Sequence, residues 1–517
     1  MVHAFTGGRV LTMAPGPEPE AVVVDGGRIV SIGERDLLAQ HPDAEVHDLA
    51  GRTLLPGFID SHNHLSIAAL HPQWRDVSTV ASMDELLDAV RVQAAAEPEA
   101  EWVRVCGWNE ITTGVAPTCT DLDALGLDRP VVVAHFSLHQ AVVCSRGLAE
   151  LAIGRTTPDP TGGEIARGAD GEATGLLVER AWSQAHARSL AGFTDFDRWG
   201  DHVLARIPSL LRHGITAIHD AACSPEGEDL YRWLAREQDV PLSVVAMPHS
   251  AAVLTNDVGA RLDGPGTGEG DEAVRVGGVK FFADGGIAIA LDVTLHGQPL
   301  RFGITMDDLE ERLVEAVRRG FRVGVHAMGN VGVQRAIDAF AAARRAMPDE
   351  DHRFRLEHVG IASKEQCQAL AALGAVAVVQ PGFVDHVGDS SGGVRFDKHA
   401  WLPFATLAEA GVPLAASSDD PCAPFPPLWC SARGATRTTI AGNVFEPDQA
   451  VDFEAWLRAY TAGSAYAGGQ EHERGAITPG LRADLVVLEG RLDPHDPPRV
   501  AETWVAGKPV YIADDPG

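Results

Sequence analysis

Apolar runs and polar stretches alternate along the central part of the chain, and the apolar runs have the continuous character of strands buried on both faces. Helical signals lie between them; at residues 363–366, for example, Ser-Lys-Glu-Gln predicts a capping box at the start of a helix. Eight runs are predicted to be strands: 54–60, 216–221, 243–248, 276–284, 322–327, 354–359, 375–381 and 413–419. Eight strand–helix units predict an α/β fold, a (β/α)8 TIM barrel.

The two ends of the chain have a different pattern, in which short β-rich runs are separated by tight turns. Asp25-Gly26-Gly27 between two such runs is a strong hairpin signal. Because the strands at either end are too few and too short to be stable alone, we expect residues 1–55 and 476–517 to meet in one small β-sandwich domain. The barrel would then occupy residues 56–475.

Residues 66–190 do not follow the strand–helix repeat. They contain a helix signal that begins at Ser82, a strand-like run at 131–135 and a stretch rich in glycine and proline at 158–175. We expect a large insertion after the first barrel strand, which would lie like a cap over the barrel mouth.

Net charge, apolar runs and cysteine content argue against several classes of protein. The 517 residues carry 42 Lys+Arg against 72 Asp+Glu, a net charge of -30, which argues against nucleic-acid and membrane partners. The first residues lack the basic and apolar regions of a signal peptide, and no apolar run is long enough to span a bilayer. Seven scattered cysteines fit reduced thiols. We expect a cytoplasmic protein, and a homodimer is one alternative that the sequence leaves open.

His62-Asn63-His64 follows the first predicted strand directly. Two histidines two residues apart in an extended segment project from the same face and can bind one metal ion together. In a barrel of this kind the chemistry lies at the carboxyl ends of the strands. Four further side chains stand at predicted strand ends: Lys280, His326, His358 and Asp419.

The residues alone leave other interpretations open. The His62–His64 pair is also compatible with ordinary loop histidines, and Lys280 with a buried salt bridge to Asp284. His326 and His358 could be core histidines whose ring nitrogens are hydrogen-bonded within the protein. Asp419 could be a metal ligand without a role as a base, or it could be a helix N-cap.

Several motifs in combination resemble the metal-dependent amidohydrolase superfamily, in the branch (amidohydrolase family 3) that includes N-substituted formamide deformylases and YtcJ-like hydrolases. The resemblance covers essentially the whole chain. The motifs that carry it include 56–62 (Pro-Gly-Phe-Ile-Asp-Ser-His), 279–285 (Val-Lys-Phe-Phe-Ala-Asp-Gly), 326–329 (His-Ala-Met-Gly), 357–358 (Glu-His), 418–419 (Ser-Asp) and 475–480 (Gly-Ala-Ile-Thr-Pro-Gly). The sequence departs from the usual pattern at residues 286–288, which leaves the substrate open and the ligands intact.

The resemblance implies a site that holds one or two divalent ions, zinc first, with manganese, iron or cobalt as substitutes. A lysine ammonium cannot ligate a metal, but a carbamate formed with CO2 can. The implied ligands are His62, His64 and Asp419 for one ion and His326 and His358 for a second, with Lys280 bridging the two as a carbamate.

The implied chemistry is attack of a metal-bound hydroxide on a small-molecule substrate, since coordination lowers the pKa of water from ~15.7 toward ~7. Asp419 would be the general base, and the catalytic set would comprise Asp419, Lys280 and His139. Substrate contacts are expected from Trp108, Glu110, His139 and Arg395, with Asn109, His386, His219 and Asp220 as further residues around the site.

We expect a hydrolase acting on the C–N bond of a small non-peptide amide, an N-formyl or N-acyl amine. The alternatives are hydrolysis of an ester, lactam or lactone, or a metal-dependent decarboxylation, at the same site. A non-catalytic regulatory protein on the same scaffold is a third hypothesis, which the intact ligand set argues against.

Overall fold

The computed structural model of the protein describes residues 1–71, 74–190, 196–249, 260–306 and 308–514. Over these residues the chain is mixed α/β. Its strands are β1 (His3–Thr6), β2 (Arg9–Val10), β3 (Ala21–Asp25), β4 (Arg28–Gly33), β5 (Glu45–Asp48), β6 (Thr53–Pro56), β7 (Phe58–Asn63), β8 (Arg75–Asp76), β9 (Val103–Trp108), β10 (Val131–His135), β11 (Gln140–Val143), β12 (Gly163–Arg167), β13 (Ala173–Glu179), β14 (Ile215–Cys223), β15 (Ser243–Pro248), β16 (Val274–Val276), β17 (Val279–Phe282), β18 (Leu291–Leu295), β19 (Gln298–Phe302), β20 (Val323–Ala327), β21 (Arg355–His358), β22 (Ile361–Ser363), β23 (Val376–Val379), β24 (His399–Trp401), β25 (Leu414–Ala416), β26 (Leu485–Glu489), β27 (Arg499–Val505) and β28 (Lys508–Ile512).

The helices follow the capping signals of the sequence. Ser82 accepts a hydrogen bond from the Glu85 N–H at the start of one helix, and Ser363 forms the predicted capping box with Gln366 at the start of another. None of the described helices combines the length and apolar character needed to cross a membrane. The α-helices are α1 (Leu65–Ala68), α2 (Met83–Ala96), α3 (Glu110–Thr113), α4 (Cys119–Asp123), α5 (Ser145–Glu150), α6 (Arg180–Leu190), α7 (Phe196–Arg212), α8 (Pro225–Glu237), α9 (Leu309–Arg318), α10 (Asn330–Ala346), α11 (Lys364–Ala372), α12 (Phe383–Ser390), α13 (Phe404–Glu409), α14 (Pro427–Thr436), α15 (Phe453–Arg458) and α16 (Ser464–Gly468).

Two parallel sheets form the centre of the molecule, in the orders β7-β14-β15-β16 and β17-β20-β21-β23-β25. Their strands are buried along nearly their whole length, as expected for parallel strands covered by helices. Helices α7 to α11 pack around them in one continuous apolar core. The carboxyl ends of these strands therefore converge on a common region.

The two parallel sheets meet at two places. At one, the chain itself continues from β16 into β17, and the Gly277 N–H between them donates to the Ala246 carbonyl of β15 at 2.6 Å. At the other, the Asp419 N–H after β25 donates to the His62 carbonyl of β7 at 2.8 Å. The single strand predicted for residues 276–284 is interrupted here, because Gly277 and Gly278 separate β16 from β17. A Cβ at position 278 would lie 3.1 Å from the Arg322 backbone, so a glycine permits this close approach.

The chain ends share a sheet of their own. Strands β2 and β6 from the N-terminal region join β26, β27 and β28 in one five-stranded sheet, and β4-β3-β1-β5 form a second sheet. The predicted hairpin is present, since Asp25 pairs with Arg28 across the turn between β3 and β4. Both sheets contribute to one buried cluster that includes Phe5, Leu54, Leu485 and Trp504.

Between β7 and β14 the chain forms a six-stranded sheet in the order β12-β13-β11-β10-β9-β8. Its antiparallel register places Gln140 opposite Val178, so residues just before β11 lie beside residues at the end of β13. This pairing brings His139 and Glu179 together.

Candidate metal centre

The His62–His64 segment leaves the parallel sheet at the end of β7 and is held there by buried hydrogen bonds. The Asp60 carboxylate accepts from the Ser418 N–H and from the Asn63 amide, each at 2.9 Å. Burial raises the pKa of Asp60 to about 6 although these hydrogen bonds oppose the shift. Asp60 thereby joins the end of β7 to the segment after β25 that carries Asp419.

His62, His64 and Asp419 form a compact group of ligand atoms. Asp419 Oδ1 lies 3.0 Å from His64 Nε2 and 3.4 Å from His62 Nε2. One ligand atom from each residue lies within 4.8 Å of the others, and all three residues are buried. Asp419 has a φ of 66°, in the left-handed region that non-glycine residues rarely adopt and that is common at functional sites.

The other predicted ligands lie beside this group. The His358 ring is 4.7 Å from that of His62 and 4.5 Å from that of His326, centroid to centroid. Lys280 Nζ lies 3.3 Å from His62 Nε2. The six side chains expected to bind metal therefore come together at the carboxyl ends of the parallel strands.

Partners on the far side of each ring orient the imidazoles. His62 Nδ1 donates to Glu357 Oε2 at 2.7 Å, and His64 Nδ1 donates to the Ala221 carbonyl at 2.6 Å. A proton on Nδ1 leaves the lone pair on Nε2, the atom that faces Asp419 in both rings. His358 Nδ1 is bonded in the same way to Gln380 Oε1 at 2.9 Å.

The Glu357 carboxylate is itself held by buried groups. Arg355 Nε donates to Glu357 Oε1 at 2.9 Å, and Arg355 Nη1 lies 3.0 Å from His219 Nδ1. His219, expected near the ligands, is therefore linked to His62 through Arg355 and Glu357. Asp220 accepts from the Ser66 N–H at 2.9 Å, which fixes the start of α1 directly after His64.

The charge state of the group suits a metal ion. Burial, aided by Lys280, holds the pKa of His62 well below its usual range, and burial lowers that of His358 to about 4. Burial raises the pKa of Asp419, but the His64 hydrogen bond and neighbouring imidazoles outweigh it and hold it below the usual range. His326 Nε2 is buried without a hydrogen-bond partner among the described residues. Neutral imidazoles, a carboxylate and an unpartnered ring nitrogen fit the donor set of zinc.

Lys280 is fully buried, and burial lowers its pKa to about 8 although Glu357 and Asp419 oppose the shift. The alternative of a Lys280–Asp284 salt bridge finds no support, because Asp284 is bonded to three backbone N–H groups. Those groups belong to Ala290, Met328 and Gly329, at 3.0, 2.9 and 2.7 Å. Burial raises the pKa of Asp284 to about 7 despite these bonds.

His139 reaches the metal centre from the six-stranded sheet. Its ring lies 5.5 Å from that of His326, and its Nδ1 is bonded to Glu179 Oε2 at 2.7 Å. Burial lowers the pKa of His139, but the Glu179 charge and hydrogen bond outweigh it and raise the pKa. A Cβ on Gly286 would lie 2.3 Å from His139 Nε2, so the ring occupies space that only glycine leaves free.

Of the remaining expected substrate residues, Trp108 and Glu110 lie in the insertion, and Arg395 lies beside residues 446–448. Trp108 is buried against His135, with ring centroids 4.9 Å apart, and Glu110 is bonded to the same histidine at 2.9 Å. The Arg395 side chain is 55% exposed and pairs with Glu446 and Asp448, at 3.6 and 3.4 Å. None of these contacts reaches the six side chains expected to bind metal.

Two further rings lie near the insertion and the strand ends. His386 packs on Phe136 at 5.8 Å. His249, at the end of β15, packs on Phe282 at 5.9 Å. Asn109 precedes α3, where its carbonyl accepts from the Thr113 hydroxyl at 3.0 Å.

Sequence reasoning missed Glu179, Gln380 and Arg355. Arg355 and Glu357 are two residues apart on one buried strand, a signal for a pair on the same face. Glu179 and Gln380 carry no comparable signal, because each meets its histidine only through strand pairing or sheet order.

The chain is similar in sequence to known proteins. The sequence profile of the Amidohydrolase family matches residues 45–511. The N-substituted formamide deformylase of Arthrobacter pascens is 32% identical over 494 residues, which cover 92% of this chain and 91% of that protein. The Bacillus subtilis protein YtcJ is 28% identical, with 99% of both chains covered.

A solved structure of similar fold is an uncharacterised metal-dependent hydrolase from Pyrococcus horikoshii, with a TM-score of 0.74 at 22% identity. The alignment covers 96% of this chain and 98% of that one. The family match spans nine-tenths of the sequence and the site lies within it. The chain belongs to the Amidohydrolase family.

Proposed function

We propose that this protein is a metal-dependent hydrolase that cleaves the C–N bond of a small non-peptide amide, such as an N-formyl or N-acyl amine. The observation that carries the proposal is the group of His62, His64 and Asp419, whose ligand atoms lie within 4.8 Å of one another. Membership of the Amidohydrolase family and the likeness to a formamide deformylase support the reaction class.

A divalent ion, zinc in this proposal, would be held by His62, His64 and Asp419, with His326 and His358 available for a second ion. When bound, it supplies an activated water and polarises the amide carbonyl. The chain's own contribution is orientation: Glu357 and the Ala221 carbonyl fix the tautomers of His62 and His64.

Asp419 would move the proton. Its carboxylate is ionised near neutral pH, because its pKa lies below the usual range, and it can accept a proton from water during attack on the carbonyl carbon. The same proton can then pass to the leaving nitrogen as the C–N bond breaks. The products are a carboxylate and an amine.

Lys280 is proposed to carry a carbamate. With a pKa of about 8, a fraction of its amine is neutral near pH 7, and a neutral amine is the form that adds to CO2. The new N–C bond releases one proton to solvent and turns a cation into an anionic oxygen donor beside His62.

His139 would hold the substrate. Glu179 fixes its Nδ1, and the raised pKa favours a proton on Nε2, which could donate to the carbonyl oxygen of the amide. A cavity of about 20 Å³ beside it is lined by Leu138, Phe282 and Met306 together with polar groups. This volume has room for about one water molecule. Trp108, Glu110 and Arg395 lie farther from the proposed ligands and are weaker candidates for substrate contact.

We also infer that the two parallel sheets are halves of one (β/α)8 barrel, residues 56–475, with 66–190 as a cap-like insertion. The direct continuation of the chain from β16 into β17 and the backbone hydrogen bond from Asp419 to His62 support a closed barrel. The five-stranded sheet shared by both chain ends supports a separate small β-sandwich domain of residues 1–55 and 476–517. The cytoplasm and a homodimer remain part of this proposal as expectations from the sequence.

The test is turnover of a panel of N-formyl and N-acyl amines by zinc-loaded protein, with both the acid and the amine measured. Esters, lactones and carboxylic acids belong in the same panel, since release of CO2 would identify a decarboxylase. We expect amine release in proportion to enzyme and its loss in Asp419→Asn.

Asp84→Asn, at an acidic position in the first turn of α2, is the matched control and should keep full activity. Zinc-loaded wild-type protein that leaves every amide intact would overturn the proposed substrate class. Activity that survives in Asp419→Asn would overturn the role of Asp419.

A further inference from the structure

A second cluster of metal-binding side chains lies in the sheet β4-β3-β1-β5, on elements separate from those of the proposed active site. β1 and β5 pair in parallel, with His3 opposite Glu45 and Phe5 opposite His47. Residues two apart on a strand project from the same face, so Glu45 and His47 flank the position of His3. The strand register therefore brings two imidazoles and one carboxylate together.

The ligand atoms have the spacing of a small coordination sphere. His3 Nδ1 lies 2.9 Å from His47 Nε2 and 3.6 Å from Glu45 Oε2, and one ligand atom from each residue falls within 4.8 Å of the others. Ligand atoms around tetrahedral zinc, with bonds of ~2.0 Å, lie about 3.3 Å apart. Shifts of a few tenths of an ångström would bring the His3 contacts to that value.

Aromatic packing fixes both imidazoles before any ion binds. The Trp504 ring contacts His3 and His47 edge-on, at 5.3 and 5.0 Å between centroids, and Phe5 stacks on His47 at 5.0 Å. Side chains that are already held lose little conformational entropy when they bind an ion. The Glu45 side chain is 57% exposed, so solvent can reach the cluster and complete the coordination.

The donor chemistry of the cluster favours binding. The Glu45 carboxylate contributes a negative charge, and each imidazole contributes a ring nitrogen. Two imidazoles and one carboxylate are a donor set for zinc and for neighbouring first-row divalent ions.

We propose that His3, His47 and Glu45 form a second site for a divalent transition-metal ion of the zinc class, which bridges β1 and β5 and acts independently of the active site. The ion would replace the contact between the two rings with bonds to both, and water would take the remaining position. Its expected role is to hold the two strands together.

The test is a count of bound zinc per chain. Untagged full-length protein is stripped with chelator, equilibrated at buffered micromolar free zinc, and measured by mass spectrometry of the metal. Two variants are compared with wild type: His47→Phe, which keeps a ring against Phe5, and Glu45→Gln. We expect each variant to hold one zinc fewer than wild type.

The matched control is His472→Phe, at a histidine whose side chain is 92% exposed, and it should keep the wild-type count. Amide hydrolysis should be unchanged in His47→Phe and Glu45→Gln, which also shows that they are folded. Equal zinc counts in wild type and in both variants would overturn the second site.

A failure of the second metal site can be distinguished from a failure of the proposed function. Asp419→Asn should keep the zinc that His47→Phe loses. A protein that hydrolyses no amide would still show the difference of one ion between wild type and His47→Phe.

Discussion

Glu357 is a buried carboxylate whose action on the metal centre passes through His62. Its Oε2 accepts the His62 Nδ1 proton at 2.7 Å, while Arg355 neutralises its other oxygen. Such partners determine both the tautomer and the basicity of a ligating imidazole. Glu357 is therefore a positioning residue.

Glu357→Gln should weaken zinc binding and kcat/KM together, by about 10- to 100-fold, because the amide is a poorer acceptor for the His62 proton. Competition with a chromophoric chelator measures the zinc affinity, and steady-state kinetics measures kcat/KM. Glu365→Gln, in the first turn of α11, is the control. Unchanged zinc affinity in Glu357→Gln would show that the hydrogen bond does not support the ligand.

The substitution Gly286→Ala adds one methyl group and tests the position of the His139 ring. A Cβ there would lie 2.3 to 2.5 Å from three atoms of the His139 ring, so the ring must move. Because displacements of about 1 Å can cost on the order of 100-fold in rate, Gly286→Ala should lower kcat/KM by about that factor while zinc content stays constant.

Gly154→Ala is the matched control, since a Cβ at that position meets no atom within 4 Å. Wild-type kinetics in Gly286→Ala, with the variant folded and zinc-loaded, would exclude His139 from the reaction.

The strands at the two ends of the chain pair with one another and share one buried core. β26 pairs with β6, and Leu485 at the start of β26 is fully buried in the cluster between the two sheets. The C-terminal strands therefore complete a core that the N-terminal strands cannot build alone.

Leu485→Ala should lower the free energy of unfolding by about 2–5 kcal/mol, the usual cost of a large-to-small change in a packed core. Ile512→Ala, at a position 63% exposed on β28, should cost far less. Urea unfolding of both variants, with zinc at a fixed concentration, measures the difference. Equal unfolding midpoints would show that this cluster contributes little to stability.

The elements that the sequence predicted well are those with local signals. The hairpin at Asp25-Gly26-Gly27, the cap at Ser82 and the capping box at Ser363 are all present. Continuous apolar runs located the central parallel strands. The interruption at Gly277–Gly278 was not predicted, because two glycines within an apolar run are compatible with either one strand or two.

The residues of the site likewise fall into those that a local sequence signal predicted and those that it did not. The six proposed ligands stand at strand ends, and parallel strands carry such positions to one edge. Glu179 was not predicted, because it lies 40 residues from His139 in sequence and meets it through antiparallel strand pairing, which no periodicity reveals. Arg395, expected near substrate, lies exposed beside acidic residues, which the sequence around it did not indicate.

The buried side chain of His186 makes the free energy of unfolding of the whole molecule depend on pH. His186 is buried between Trp74 and Trp182, with ring centroids 5.3 and 4.9 Å away, and neither ring nitrogen has a hydrogen-bond partner among the described residues. Burial lowers its pKa from 6.5 to about 3. The stability it contributes is present above pH 6.5 and is lost as the pH falls toward 3, because only the unfolded chain takes up the proton.

His186→Leu should therefore flatten the pH dependence of stability. Between pH 7 and pH 5 wild type should lose about 2 kcal/mol more than the variant, from one site whose unfolded pKa is near 6.5. Urea midpoints at both pH values measure this. His472→Leu, at an exposed side chain, should keep the wild-type slope, and an identical slope in His186→Leu would contradict the explanation.

We expect β7 and the segment after β25 to bring His62, His64 and Asp419 around one ion. Anomalous diffraction at the zinc edge from zinc-soaked crystals can locate that ion. A peak should lie about 2.0–2.2 Å from His62 Nε2, His64 Nε2 and an Asp419 carboxylate oxygen. Fully zinc-loaded crystals without a peak between these three atoms would contradict it.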